Sequence, residues 1–256
     1  MILNFAFYMT IVVFLTGIIS LLDWFSLRKH RSSKIKDSFI VEHSKAFFPV
    51  LLVVWIVRSF IIQPYRVPTG SLEPTVMPGD FIAVEQFAYG LRFPVINKKI
   101  FPIGEPKRGQ IVLFRWPENR AIVFVKRVIG LPGDHIIYQH KQLYINSKKQ
   151  KQKLLYTTND INSLGYHRLV YVKEEDLNGV KHKIYVQPTG GETENYDLVV
   201  PQGRYFMMGD NRDNSNDSRQ WGFVPEKDLI GRAFGIWFSW DSLNKYIRWN
   251  RIGNGL

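Results

Sequence analysis

The sequence contains no cysteine in 256 residues. That absence excludes disulfides, a thiol nucleophile and thiolate zinc sites, and it leaves the redox compartment open. Histidine is scarce too. His30, His43, His135, His140, His167 and His182 fall in no zinc or triad arrangement, so surface or structural roles are expected of all six. Basic residues are missing from the start of the chain. Met1 to Asn4 carries no cation, and the apolar run behind it closes on Leu21, Leu22 and Asp23 instead of small residues. A cleaved signal peptide would show both features, so a retained anchor is expected.

Acid is under-represented relative to base. The formal net charge is +12 and the sequence pI about 9.8, which calls for an anionic partner. Nucleic acid requires a recognition motif besides charge, and none is present. Membrane lipid fits better, because two segments read as transmembrane helices. The first covers residues 5–22 and is uncharged; with the leading residues it makes a span over 1–22. The second covers 46–62, with Pro49 in its expected first turn and Arg58 near its far end. A buried soluble helix is the alternative for this weaker run. Residues 23–45 between them hold Arg28, Lys29, Arg31, Lys34, Lys36 and Lys45, and short basic loops stay in the cytoplasm. The N-terminus and residues 63–256 are therefore expected outside. That outer part carries 27 basic and 19 acidic residues.

The outer part reads as mainly β. FIAVEQFAYG, QIVLFRW, AIVFVKRVIG, HIIYQHKQLYI, HKIYVQP, RYFMM and AFGIWFSW are rich in β-branched and aromatic residues. Met77–Asp80 and Leu131–Asp134 each place Pro before Gly, as a type II turn requires. Residues 141–198 are polar and hold few apolar runs, and they read as a smaller lobe inserted into the β core.

Three stretches carry candidate chemistry. PTGSLEPTV (68–76) sets Ser71 behind Gly70 and between two prolines; taken alone, a plain turn explains it. In AIVFVKRVIGLPGD, strand alternation puts Ile122, Phe124, Lys126 and Val128 on one face and Val123, Val125, Arg127 and Ile129 on the other. Both faces are apolar, so at least one cation must lie against hydrophobic neighbours unless both reach water at a strand end. Lysine loses its proton readily when desolvated, and a neutral amine is a competent general base. GDNRDNSNDSRQWGFVP (209–225) has the Asp213, Ser215, Asp217 alternation of a calcium loop. However, the sixth position is Ser218 rather than Gly and the twelfth Val224 rather than Glu. A network of Asp–Arg pairs fits it better than a cation site.

Taken together, PTGSLEPTV, VKRVIGLPGD and GDNRDNSNDSR with WGFVP resemble the bacterial signal peptidase I, or leader peptidase, family, in the same order. MPGDFIAVEQFAYG and PKRGQIVLF are also family-like, and the two spans match its two-span members. The resemblance implies a β-rich extracytoplasmic catalytic domain and a serine endopeptidase that removes signal peptides from exported preproteins without metal or cofactor. It implies Ser71 as nucleophile, Lys126 as general base, and Ser215 as a hydrogen-bond partner that orients the lysine amine. Asp217 and Arg219 would form an ion pair behind the site, supported by Asp210 and Arg212. The Ser71 backbone N–H and the Thr69 hydroxyl would form the oxyanion hole. Thr69 stands where many relatives carry serine, and Leu72 where methionine is usual. Val67, Val76 and Val125 are expected walls of shallow pockets for the small residues the family prefers. An inner-membrane location, with preproteins and the secretion machinery as partners, follows from the same resemblance. Nine residues separate Ile62 from Ser71, a reach of about 30 Å at most, so the serine stays near a membrane-anchored substrate. A membrane-anchored β module that binds without catalysis is the competing class; a self-cleaving soluble relative would need a DNA-binding helix pair where the two spans stand.

Overall fold

The structure is a computed structural model that describes residues 2–27, 37–92, 99–161, 167–190 and 195–256. Arg28, Lys29, Arg31, Lys34, Lys36 and His30 of the basic loop lie outside the described residues, as do parts of the expected lobe. The chain forms two compact units: Met1–Gln63 with Gly90–Pro102, and Pro64–Tyr89 with Ile103–Leu256.

The first unit is built on α1 (Ile2–Leu22) and α2 (Phe39–Ile56), each prolonged by wider π turns, to Leu27 and Ile61. Both are long and apolar enough to cross a membrane. They lie close together: Trp55 donates to the Thr10 hydroxyl at 2.9 Å, and a Cβ on Gly17 would stand 2.7 Å from the Phe48 ring. The second helix begins at Phe39, seven residues before the expected start at 46, so Pro49 is interior rather than in the first turn. The early start has a local cause. Phe39, Ile40 and Val41 prolong the apolar run, and Glu42 suits the positive end of the helix. The Lys45 charge, which reads as loop, is matched by Asp23 and by Asp37 at 2.9 Å.

Strands follow in the order β1 (Ile62–Arg66), β2 (Asp80–Glu85), β3 (Leu91–Arg92), β4 (Lys99–Phe101), β5 (Ile111–Arg115) and β6 (Val123–Gly130). Then come β7 (His135–Gln139), β8 (Gln142–Ile145), β9 (Lys148–Lys149), β10 (Lys151–Ile161), β11 (His167–Leu177), β12 (Val180–Val186) and β13 (Tyr196–Val199). The last are β14 (Arg204–Met208), β15 (Val224–Pro225), β16 (Leu229–Asp241) and β17 (Tyr246–Ile247), with one short helix, α3 (Ser218–Trp221).

The main sheet of the second unit runs β1-β2-β16-β5-β6-β14-β15, with β17 hung on β16. Its alternation is the one the sequence implies. On β14, Phe206 and Met208 enter one apolar cluster with Ile129 and Ile136, while Tyr205 and Met207 enter another with Val112, Phe114 and Val128. A third cluster, of Val67, Leu72, Val76, Ile82, Val84, Leu113 and Ile236, underlies the serine stretch. Both Pro-Gly turns form: Asp80 N–H donates to Met77 O and Asp134 N–H to Leu131 O, each at 3.0 Å. Gly79 and Gly133 take φ of 88° and 86°, open to glycine at little cost.

The polar stretch after residue 140 holds more strand than its composition suggests. β10 and β11 are eleven residues each and pair with β12 in a three-stranded sheet, and β7, β8, β9 and β13 form a four-stranded one. Opposite charges face one another across the ribbon, Lys153 on Glu174 and Asp160 on Arg168. One face carries the buried Val170 and Val172, and the other the buried Glu175, Ile184 and Val186.

Candidate active site

The serine loop is clamped at both ends. Val67 N–H donates to Asp80 O at 2.8 Å, and Gly79 N–H returns to Val67 O at 2.9 Å. Leu72 and Val76 are 1% and 0% exposed, which pins the loop into the core and lifts Thr69 to the surface with Ser71 half-buried. Val76 is thus a support under the loop and no wall of an open pocket. Val67 is also buried, and only Val125 of the three expected pocket residues is partly exposed.

The 209–219 stretch grips this loop from the other side. Asn211 N–H donates to Ser71 O at 3.0 Å, and its side-chain amide to Gly70 O at 3.1 Å. Thr75 donates its hydroxyl to Asp210 at 2.5 Å. A Cβ on Gly209 would overlap the Ser71 carbonyl oxygen and the Ser215 hydroxyl, so only glycine lets these backbones meet.

Lys126 lies in β6, opposite Val112 of β5. It is 4% exposed, and Arg127 is 3% exposed, so neither cation escapes to water at a strand end. Arg127 is fully paired: two nitrogens reach Asp210 at 2.8 and 2.7 Å, and a third donates to Gly109 O at 2.6 Å. The Lys126 amine stands 5.7 Å from the Phe124 ring centre. Burial lowers its pKa to about 8; the Asp217 charge opposes that fall and Arg219 assists it.

Behind the lysine, Arg219 holds Asp217 through two hydrogen bonds of 2.8 Å and donates to Arg212 O at 2.6 Å. Burial would push the Asp217 carboxyl up, but the adjoining guanidinium holds it below its usual range. Asp217 also caps α3 and accepts from Gly209 N–H at 2.9 Å. Asp210 and Arg212 support the site through different partners, Arg127 and Glu175 respectively.

Among the described residues, no hydrogen bond joins Ser71 to Lys126, and Ser215 does not hold the lysine amine. The Ser215 oxygen is buried without a partner, packed against Gly209. That departs from the expectation for Ser215. Its hydroxyl packs against the Gly209 backbone instead.

Sequence reading missed the contribution of the β10–β12 sheet. Glu175, fully buried, pairs with Arg212. His182 is buried too, 3.5 Å from Glu175 and 3.9 Å from Asp210, and burial with the nearby Arg127 charge lowers its pKa to about 4. Neither residue belongs to a motif, and only the fold brings them to the site. Asn211 was legible inside the 209–219 block, though its grip on Ser71 was not.

Comparison with known proteins decides the family. The model of the family described as signal peptidase, peptidase S26, matches residues 40–240. The signal peptidase I of Pseudomonas fluorescens is 38% identical, covering 98% of each chain, and that of Pseudomonas aeruginosa 37%, covering 99% of each. The chain belongs to the signal peptidase family, peptidase S26. A Buchnera aphidicola signal peptidase I is 38% identical over 90% of this chain and 86% of its own. The matched segment of this signal peptidase contains Ser71, Lys126 and the whole 209–219 stretch, and leaves out α1. The enzyme is a peptidase, mainly β, with two apolar helices ahead of its β sheets.

Proposed function

We propose that this signal peptidase hydrolyses the bond after the signal peptide of an exported preprotein with Ser71 as nucleophile and Lys126 as general base. The observation that carries the reading is the burial of the Lys126 amine, which keeps much of it uncharged at mildly alkaline pH. Ser71 Oγ attacks the carbonyl, its proton passes to Lys126, and the lysine then protonates the leaving amine. A water activated by the same amine hydrolyses the acyl-enzyme. The Ser71 N–H and the exposed Thr69 hydroxyl receive the developing oxyanion. The two reacting groups make no hydrogen bond in the free enzyme, and substrate closes that gap, as is common for catalytic contacts.

Val67 and Val125 support the pocket for small side chains, with Val76 beneath them. The polar residues 141–198 form part of the catalytic domain, since Glu175 and Arg212 bind it to the 209–219 stretch. The basic residues 23–45 orient the catalytic domain to the outer face, near anionic lipid and the secretion machinery.

Purified full-length enzyme in detergent, incubated with a preprotein, tests the assignment. Ser71→Ala and Lys126→Ala are each expected to reduce cleavage to background while thermal unfolding stays cooperative. Turnover by either variant overturns the dyad.

A further inference from the structure

We propose that Glu73 is a positioning residue for Ser71: protonated, it shares its carboxyl proton with Asp160 and docks the serine loop on the β10–β11 ribbon, and its ionisation loosens the loop at alkaline pH. The proposal rests on the Ser71–Lys126 reading and adds to it an element drawn from the far side of the loop.

Two buried carboxyls meet on one amide. Glu73 is 7% exposed and Asp160 5%, and the Asn211 side-chain nitrogen lies 3.3 Å from Glu73 and 3.5 Å from Asp160. That nitrogen is also the donor to Gly70 O, while the Asn211 backbone holds Ser71 O. The Glu73 carboxyl folds back beneath Gly70, where its Cδ would stand 2.8 Å from an added Cβ. It therefore sits under the peptide whose N–H is assigned to the oxyanion.

Charge does not balance here without a proton. Arg168 of β11 donates two hydrogen bonds to one oxygen of Asp160, one of them at 2.7 Å, and pairs with that carboxylate. Among the described residues, no second cation pairs with Glu73. Tyr185 of β12 faces the pair, but burial raises it to about 12 and it stays neutral. Arg127 is taken by Asp210 and Arg251 by Asp80. Burial and the Asp160 charge accordingly raise Glu73 to about 8, with Arg168 and Asn211 opposing. Below that pH a Glu73 O–H donates to Asp160, and above it two carboxylates repel across Asn211. Lys126 gains its catalytic form over the same range in which Glu73 loses its docking form, so the activity optimum is narrow.

The test is kcat/KM against pH for the full-length enzyme, E73Q, E73A and D160N with one preprotein, and Ser71→Ala as a control. Glutamine donates the same hydrogen bond without titrating. E73Q should retain activity within about threefold at neutral pH and hold it to higher pH, its alkaline limb displaced by about one unit or more. E73A should fall by about tenfold or more at every pH, because a small displacement of a nucleophile costs that much. D160N should also lose the alkaline limb, since the repulsion is gone, and it serves if E73Q does not fold. Alkaline limbs that superimpose on the parent's, or an E73A profile equal to the parent's, overturn the proposal. Turnover by Ser71→Ala would instead remove the nucleophile assignment on which it rests.

Discussion

Asp217 and Arg219, two residues apart, meet through a pair of 2.8 Å hydrogen bonds with both side chains out of contact with solvent. Their charges act on Lys126 with opposite sign: Asp217 favours the ammonium and Arg219 the free amine. The pair thus tunes the base besides holding the 209–219 stretch.

Arg219→Met removes the charge that helps the amine lose its proton, so the rising limb of the pH–rate profile should move to higher pH. It also strands a buried carboxylate, at a cost of about 3–5 kcal/mol in unfolding free energy. Asp217→Asn should move the rising limb the other way. Denaturant titration and pH profiles separate the two effects, and the double variant should recover much of the lost stability.

Lys126 should weaken the fold at neutral pH. Its folded pKa, about 8, lies below the ordinary lysine value, so the unfolded chain binds the proton more tightly. The penalty is complete below pH 8 and disappears as pH rises from there through the ordinary lysine range. Lys126→Met keeps the volume and discards the charge. It should abolish cleavage and gain up to about 3 kcal/mol in stability at pH 6, with the gain shrinking above pH 8. Thermal unfolding at several pH values checks the sign.

Gly209→Ala should separate structure from chemistry at the loop junction. The added methyl overlaps the Ser71 carbonyl and Ser215 hydroxyl, so Ser71 must move. Activity should fall by about a hundredfold, the scale expected for an ångström of misplacement. Adding Ser215→Gly relieves only one of the two clashes and should restore little. Cleavage rates of the two variants decide this.

Much of this site was legible in the chain because its three stretches carry dense local signals. A cation pair on a strand apolar on both faces points to burial of at least one of the two, and both Lys126 and Arg127 are buried. Asp217 and Arg219 are close enough in sequence to find each other. The second helix start was misplaced because Lys45 and Glu42 read as loop, while Asp23 and Asp37 neutralise the lysine from elsewhere. Ser215 is expected on the amine, but its hydroxyl packs against Gly209 without a hydrogen-bond partner. Glu73, Asp160, Glu175 and His182 carried no motif at all. Asp160, Glu175 and His182 stand on β10, β11 and β12, tens of residues from the Asn211, Arg212 and Asp210 that they meet, in strands whose exposed face is written in lysine, glutamine and threonine. Only pairing reveals them.

The most direct test is the dependence of kcat/KM on pH for the unmodified enzyme with one preprotein. A rising limb set by one proton loss with a midpoint at about 8, ahead of any alkaline fall, with Lys126→Ala at background throughout, is the result predicted by the buried lysine. A flat profile, or a rise centred at about 6.5 where an ordinary histidine titrates, would contradict it.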